Sequence, residues 1–331
     1  MKTNKWTMTV GLFFLIPGLF FGIPVAGEVS AAGYPERPIS LVVPYAPGGI
    51  TDMSARTLAG HMEKHLKQPI VVVNKPGGAS TIGGYAVASA NPDGYTIGFF
   101  PDVTSLPEVF SYFFEAPYTS KNLRPMTKMY TPVLGFFVNG DAPWNTMKEF
   151  IEYARKNPGT KVGHPGKMTP GFAVMNMFNK AEKVGLIDVP FDSDAKVLPA
   201  VLGGHIPIGH VGFPQIRSLY EAKKVKILVL TTIEKRATFA PEIPTLNELG
   251  YRLTGASFQY FGLFGPKGVP DEVVKKIDEA VRKVCEEPEF LSVAEKMGSQ
   301  ISYMDGPKFE KSLAEYKEVY LNYFKEQGLV K

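Results

Sequence analysis

The chain has one cysteine, Cys285, so no internal disulfide can brace it. It also has little excess of either charge. Its 36 Lys and Arg against 32 Asp and Glu give a formal net charge of +4, one unit of it from Lys2, Lys5 and Glu28 near the start. With no basic run to add to this, no nucleic-acid partner is expected. The nucleophile elbow G-x-S-x-G, the dinucleotide fingerprint G-x-G-x-x-G and the Lys-Ser/Thr of a phosphate loop are all missing, so neither catalysis nor nucleotide binding can be read from motifs. His61 and His65 stand four apart, yet "HMEKH" lacks the glutamate of H-E-x-x-H and no third ligand can be picked out. A solvated helix face, no metal and no cofactor are the expectations.

What is present is ordinary globular material, 44% hydrophobic and 21% charged, in 331 residues that could fill two domains. Residues 1–32 begin with two lysines, continue in an apolar run from about Val10 to Ala26 and end in small residues. That is the layout of a secretory signal cleaved near Ala31 or Ala32. The alternative, an uncleaved anchor, is opposed by Pro17 and Pro24 inside the run. No cysteine is placed to become a lipidated N-terminus. The mature protein is expected to be exported, monomeric and stabilised by its core alone.

Beyond the leader, short apolar runs alternate with segments of helical period. "ISLVVPY", "IVVVN" and "YTIGFF" read as strands, with helices over about Asp52 to Lys67 and Ile82 to Ala90 between them. Ala55, Leu58, Ala59, Met62 and Leu66 share one face of the first helix. A second α/β block starts near "PVLGFFVNG" and includes "KVGHPG", "VGLIDVPF", "HIPIGHVG" and "KILVLTT". Past Thr232 the chain is rich in Pro, Gly and Thr and reads as crossing loops and strands, and two amphipathic helices are expected to close it. The fold class is α/β.

The informative feature is a recurring turn: a strand, then Pro-Gly-Gly, then a helix, in "PYAPGGITD" and again in "NKPGGASTIGG". A helix start carries unpaired N–H groups and partial positive charge, so it can hold an anion without a basic side chain, and glycine lets a ligand approach closely. Gly48, Gly49 and Thr51 in the first turn and Gly77, Gly78, Ser80 and Thr81 in the second are the candidates. Each turn alone could equally be a plain βα connection with a capping Thr51 or Asp52. Two such turns at strand ends of one sheet favour a ligand. Asp52 is expected to cap the helix or fasten the loop, since a carboxylate would repel an anion. His164 lies in a Gly-rich loop near where a ligand could be; His205 and His210 flank the expected strand "IPIG" and could belong to core or cleft.

These segments, in order from "YPERPISLVVPYAPGGITDMSARTLA" through "FIEYARKNPGTKVG", "VPFDSDAKVLPAVLGGHI" and "FAPEIPTLNELGY" to "YFGLFGPKGVPDEVVKKI", resemble the Bug or TctC family of extracytoplasmic solute receptors of tripartite tricarboxylate transporters. The resemblance covers essentially the whole mature chain. It implies a two-domain periplasmic binding protein of type II-like fold with an interdomain cleft that closes in the manner of a flytrap. Domain I would take residues 33–132 and 256–331, and domain II residues 133–255. It also implies a small organic acid as ligand, membrane permease subunits as partners and no enzymatic activity. The alternative is a sensing module that signals to a membrane kinase.

Carried over by position, Tyr45, Pro47, Gly48, Gly49, Thr51 and Asp52 match the first loop, and Ser80 and Thr81 the second. Gly163, His164, Gly166 and Thr169 fall where the family has a Gly-Ser-rich loop, Phe191, Asp192 and Ser193 replace a common Tyr-Lys-Gly, and Gly212 and Phe213 fall in a segment that is commonly Phe-Asp-Ser. Phe100, Pro101 and Asp102 also differ from the family's more usual Gly-Asn/Thr-rich stretch. Tyr45, Phe172, Phe191, Phe213 and Tyr260 could cover the ligand or belong to cores.

Overall fold

The computed structural model of the protein describes residues 33–48, 50–111, 114–166, 169–191, 193–232, 235–251, 259–326 and 328. The expected leader, Gly49 and Asp192 lie outside the described residues.

The chain opens with β1 (Ile39–Val43), α1 (Ile50–Leu66), β2 (Ile70–Asn74), α2 (Thr81–Ala88), β3 (Thr96–Phe100), the single turn α3 (Asp102–Ser105) and β4 (Leu123–Pro132). It then crosses into β5 (Leu134–Asn139), α4 (Met147–Lys156), β6 (Lys161–His164), α5 (Pro170–Glu182), β7 (Ile187–Pro190), α6 (Asp194–Leu202), β8 (Ile208–Gly212), α7 (Phe213–Glu221) and β9 (Val225–Leu230). It returns through β10 (Phe261–Pro266), α8 (Asp271–Glu286), α9 (Pro288–Lys296), β11 (Ser299–Asp305) and α10 (Gly306–Glu326).

Two sheets result, ordered β11-β4-β10-β3-β1-β2 and β7-β6-β8-β5-β9 among the described residues. The same plan underlies both. The first parallel strand is flanked by the second and third, and a strand arriving from the other sheet is inserted antiparallel before the fourth. β5 is that inserted strand in the second sheet and β10 in the first. The order reverses beside β1 in one sheet and beside β6 in the other. In open α/β sheets, ligands bind outside the carboxyl ends of the strands at such reversals.

Burial explains the strands. β1 is buried at four of its five positions because sheet neighbours lie on both sides and helices cover its faces. Ala55, Leu58, Ala59 and Met62 of α1 are all in the core against Val273, Ile277 and Val281 of α8. Separate apolar clusters lie under the second sheet, around Phe136 and Phe178 and around Phe137 and Ile216. Cys285 is buried in α8 and is free. No helix among the described residues is long and apolar enough to cross a membrane.

Three expectations need correction. The chain closes with three helices and an edge strand, because Pro288 starts a new helix after α8 and "SQISYMD" pairs with β4. His210 lies inside β8 rather than beyond a strand, because the strand starts two residues later than the apolar pair of "IPIG" suggests. His61 is not on a solvated face: it is only 8% exposed, and both helix histidines meet Glu287, which is more than 220 residues away in sequence.

α2 packs against the connections after β1 and β2 through Gly83. A Cβ there would come within 2.7 Å of Pro44 Cα and 3.0 Å of Lys75 O, backbone atoms of both connections. Gly83→Ala should therefore cost about 1–3 kcal/mol in a urea melt, because neither contact can rotate away. Stability equal to wild type would mean that the two connections yield freely.

Candidate ligand-binding site

β1, β2 and β3 run parallel, so the connections that follow them gather along one edge of the first sheet. The first is held in shape from below. Asp52, in the first turn of α1, accepts the Gly48 N–H at 2.9 Å and the Asn74 amide at 2.8 Å, and Arg56 pairs with it at 3.0 Å. Asn74 also donates to Tyr45 O at 3.0 Å, and Arg56 reaches Asn74 Oδ1 at 2.9 Å. Burial alone would raise the Asp52 carboxyl, but hydrogen bonds from Arg56, Gly48 and Asn74 hold it below its ordinary value. Asp52 thus fastens the loop, and the Gly48 amide is spent on this task. Gly48 itself has φ +88°, which favours glycine.

The second connection is unusual. Gly77, Gly78, Ala79 and Ser80 all have positive φ, two of them without the freedom of glycine. Non-glycine residues held in this region carry strain, and such strain concentrates at ligand sites. Ser80 is buried and accepts a hydrogen bond from Thr104 Oγ1 at 2.8 Å, while Thr81 Oγ1 donates to Gly78 O at 2.7 Å. The Tyr45 phenol sits against the Ser80 and Thr104 hydroxyls. Burial, and then the charge of Asp102, push it up to about 12, so it remains a neutral hydrogen-bonding group.

Asp102 lies deeper than a contact residue on an open loop. Its Oδ2 accepts from Tyr320 O–H at 2.5 Å, and burial pushes its carboxyl up to about 6. Tyr260, fully buried and bonded to Ser105 Oγ at 2.7 Å, belongs to the same cluster.

The second sheet repeats the arrangement with different chemistry. β6 ends at His164, which is fully buried, and the Gly166 N–H donates to its Nδ1 at 3.2 Å. Gly166 has φ +125°, so in each sheet a buried polar side chain fastens a left-handed glycine beyond the first parallel strand. Thr169 Oγ1 donates to Gly166 O at 2.6 Å and so does not cap α5, whose first residue is Pro170. The helices that start after β7 and β8, α6 and α7, likewise lack a side-chain cap. By contrast α4, which starts elsewhere, carries a complete capping box from Thr146 and Glu149. First-turn amides lack partners within the helix, so the starts of α1 and α5 offer Ile50 and Thr51, and Gly171 and Phe172, as donors.

The remaining sequence candidates are distributed unevenly. Phe191 N–H donates to His164 O at 2.9 Å, and its ring packs at the edge of the second sheet's core. Ser193 is exposed at the start of α6. Gly163 is closely packed: a Cβ there would meet the end of the Ile206 side chain at 2.3 Å. Phe213 is in the core beside Phe239, with ring centroids 4.6 Å apart, and Phe172 is buried with its ring 5.6 Å from that of His164. Pro47 is exposed and Thr51 buried beside it. A groove of about 680 Å³ runs along α10 past Arg124, Lys267 and Lys317 and reaches Ser105 and Leu106 at the end of α3.

Four participants escaped sequence reading. Arg56 and Asn74 complete the Asp52 network, and Thr104 supports Ser80. Asp194 accepts the Gly212 N–H, with its other oxygen buried and unpartnered, and burial pushes it up to about 6. Only the helical spacing of Asp52 and Arg56 could have signalled any of them.

α5 and α7 supply contacts between the lobes, and Thr238 Oγ1 adds one to Glu295 at 3.4 Å. Asn176 Nδ2 donates to Tyr323 O–H at 3.3 Å, and Ala173 joins the apolar cluster of Phe100, Tyr260 and Tyr320. Phe213 and Pro214 pack beside Gly298, which accepts the Val133 N–H at 2.7 Å, and Arg217 Nη1 donates to Glu295 O at 3.4 Å.

Two α/β sheets of one plan, joined by exchanged strands, with fastened loops at both order reversals, define a two-domain periplasmic binding protein fold. The family model described as tripartite tricarboxylate transporter family receptor, TctC, matches residues 54–329. The chain belongs to that family. A relative from Cupriavidus necator, a UPF0065 protein in the gbd 5' region, is 32% identical over 296 residues, 87% of this chain and 86% of its own. The periplasmic binding protein BugD is 29% identical with a TM-score of 0.71, covering 90% of this chain and all of that one. MatC of Rhodopseudomonas palustris, solved with malate bound, is 25% identical with a TM-score of 0.68, covering 88% of this chain and 99% of that one.

Proposed function

We propose that the protein captures a small organic acid outside the cytoplasm and delivers it to the membrane permease of a tripartite tricarboxylate transporter, without chemical turnover. The observation that carries this reading is the paired loop design. Asp52 and His164 each hold a left-handed glycine in place beside the starts of α1 and α5, and the start of α5 carries no side-chain cap. A carboxylate can accept several of these amides, each bond to a charged group being worth about 1.5–3 kcal/mol before association costs. Tyr45 and Ser80 supply hydroxyls around it, while Thr81 and Thr169, whose protons go to Gly78 O and Gly166 O, shape the turns. One helix start in each lobe suits an acid with two carboxylates, and the malate held by MatC is of that kind. The lobes, residues 33–132 with 256–331 and residues 133–255, close about the two strand crossings, β4 to β5 and β9 to β10.

Thermal-shift measurements against mono- and dicarboxylates test this. A matching acid at 100 times its Kd should stabilise the protein by about 2.7 kcal/mol, and its diester and diamide should not. Equal shifts from acid and ester would remove the carboxylate from the recognition.

A further inference from the structure

We propose that His61, Glu287 and Glu289 form a binding site for a divalent transition-metal ion of the zinc class, with His65, on the other Glu287 oxygen, as a fourth donor. The site lies in the last turns of α1, about 20 Å along the helix axis from the start that faces the ligand loops. It is separate from them.

The donors already converge. His61 Nδ1 stands 2.5 Å from one Glu287 oxygen and His65 Nε2 2.6 Å from the other. Ligand atoms of His61, Glu287 and Glu289 all fall within 4.8 Å of one another. Two imidazoles one helical turn apart with a carboxylate form a nitrogen-and-oxygen set that suits zinc and its neighbours, whereas magnesium and calcium prefer oxygen alone. Zinc bonds of about 2.0–2.2 Å imply donor separations of roughly 3.3 Å, so Glu287 must retreat from the imidazoles by about 1 Å while the more widely spaced donors, up to 4.8 Å apart, draw in. Glu287 can do so, because it is the single residue joining α8 to α9 and its side chain is 21% exposed.

The histidines are better fixed. The His61 ring meets Phe290 edge-on at 5.3 Å, and Leu58 and Met62 anchor its helix in the core. Lys64 shows that the place attracts positive charge: its ammonium lies 3.7 Å from Glu287 and 3.3 Å from Glu289. Its half-exposed stem lets it swing away when an ion enters. A cavity of about 230 Å³ opens beside His65, lined by Tyr34 and Glu279 and also by Lys276 and Lys283. A bound ion would tie α1 to the joint between α8 and α9 and so stabilise the first lobe.

The test is calorimetric titration of untagged, chelator-stripped protein with zinc chloride, alongside thermal melts with and without the ion. One zinc per chain and a raised Tm are expected, with magnesium chloride giving no shift. His65→Ala and Glu287→Gln should each weaken zinc binding about 100-fold and abolish the rise in Tm, while melting as folded proteins in EDTA. If Glu287→Gln does not fold, His65→Ala, altered at a partly exposed side chain, carries the comparison. No saturable zinc binding by the wild type, or equal binding by wild type and His65→Ala, would overturn the proposal.

Discussion

Asp52→Ala is expected to lower the stability of the ligand-free protein by about 2–3 kcal/mol and to weaken acid binding by well over tenfold. The carboxylate is 3% exposed and holds three partners: Gly48 N–H, the Asn74 amide and Arg56. An orphaned buried donor costs about 1–3 kcal/mol. The loss is smaller than the sum over three partners because Arg56 is half exposed and Gly48 is open to water, which can serve both. Binding should suffer more than folding. With Gly48 released, the turn loses its fixed left-handed geometry, and the amides at the start of α1 no longer hold one arrangement for an anion. Asp52→Asn, which retains an acceptor for Gly48, should keep most of the stability and part of the affinity. Urea melts and calorimetry on both variants decide this; unchanged affinity in Asp52→Ala would detach the loop from recognition.

His210→Gln should remove part of the acid sensitivity of the fold. His210 is fully buried in β8, with its ring 4.8 Å from that of Phe136; Nε2 is bonded to Thr231 Oγ1 at 2.7 Å, and Nδ1 has no partner. Burial, with His164 nearby adding to it, pushes its pKa down to about 3 from 6.5. In the unfolded chain the imidazole protonates at its ordinary pKa, so the folded state binds fewer protons between those values. Its contribution is therefore fully present above pH 6.5 and is lost as the pH falls toward 3. At about 1.4 kcal/mol per pH unit, wild type should lose about 3 kcal/mol relative to His210→Gln between pH 7 and pH 4. Comparing the two proteins is essential, because Asp102 and Asp194 act oppositely. Their carboxyls, raised to about 6, add stability below the ordinary carboxylate pKa and lose it as the pH rises through 6. A constant gap between wild type and variant across this range would show that His210 is not held neutral by burial.

Much of this was legible in advance because period reports burial. The apolar runs of β1, β2 and β3 and the stripes of α1 and α8 announced a sheet packed under helices, and the Pro-Gly-Gly turns marked the strand ends where the loops gather. Asp52 was readable as a fastening residue because a carboxylate in the first turn of a helix has amides close at hand. Contacts between distant segments were not readable. Glu287 reaches His61 across 226 positions, and Tyr320 reaches Asp102 across 218; no local pattern encodes either. β11 was hidden for another reason: as an edge strand it is mostly half-buried, so its sequence lacks an apolar run.

A crystal structure of the protein with its acid bound tests the central claim most directly. The account predicts the carboxylate between the lobes, its oxygens within hydrogen-bonding distance of main-chain amides at the starts of α1 and α5. A carboxylate gripped chiefly by arginine or lysine side chains or by a metal ion, or an acid seated away from these loops, would contradict it.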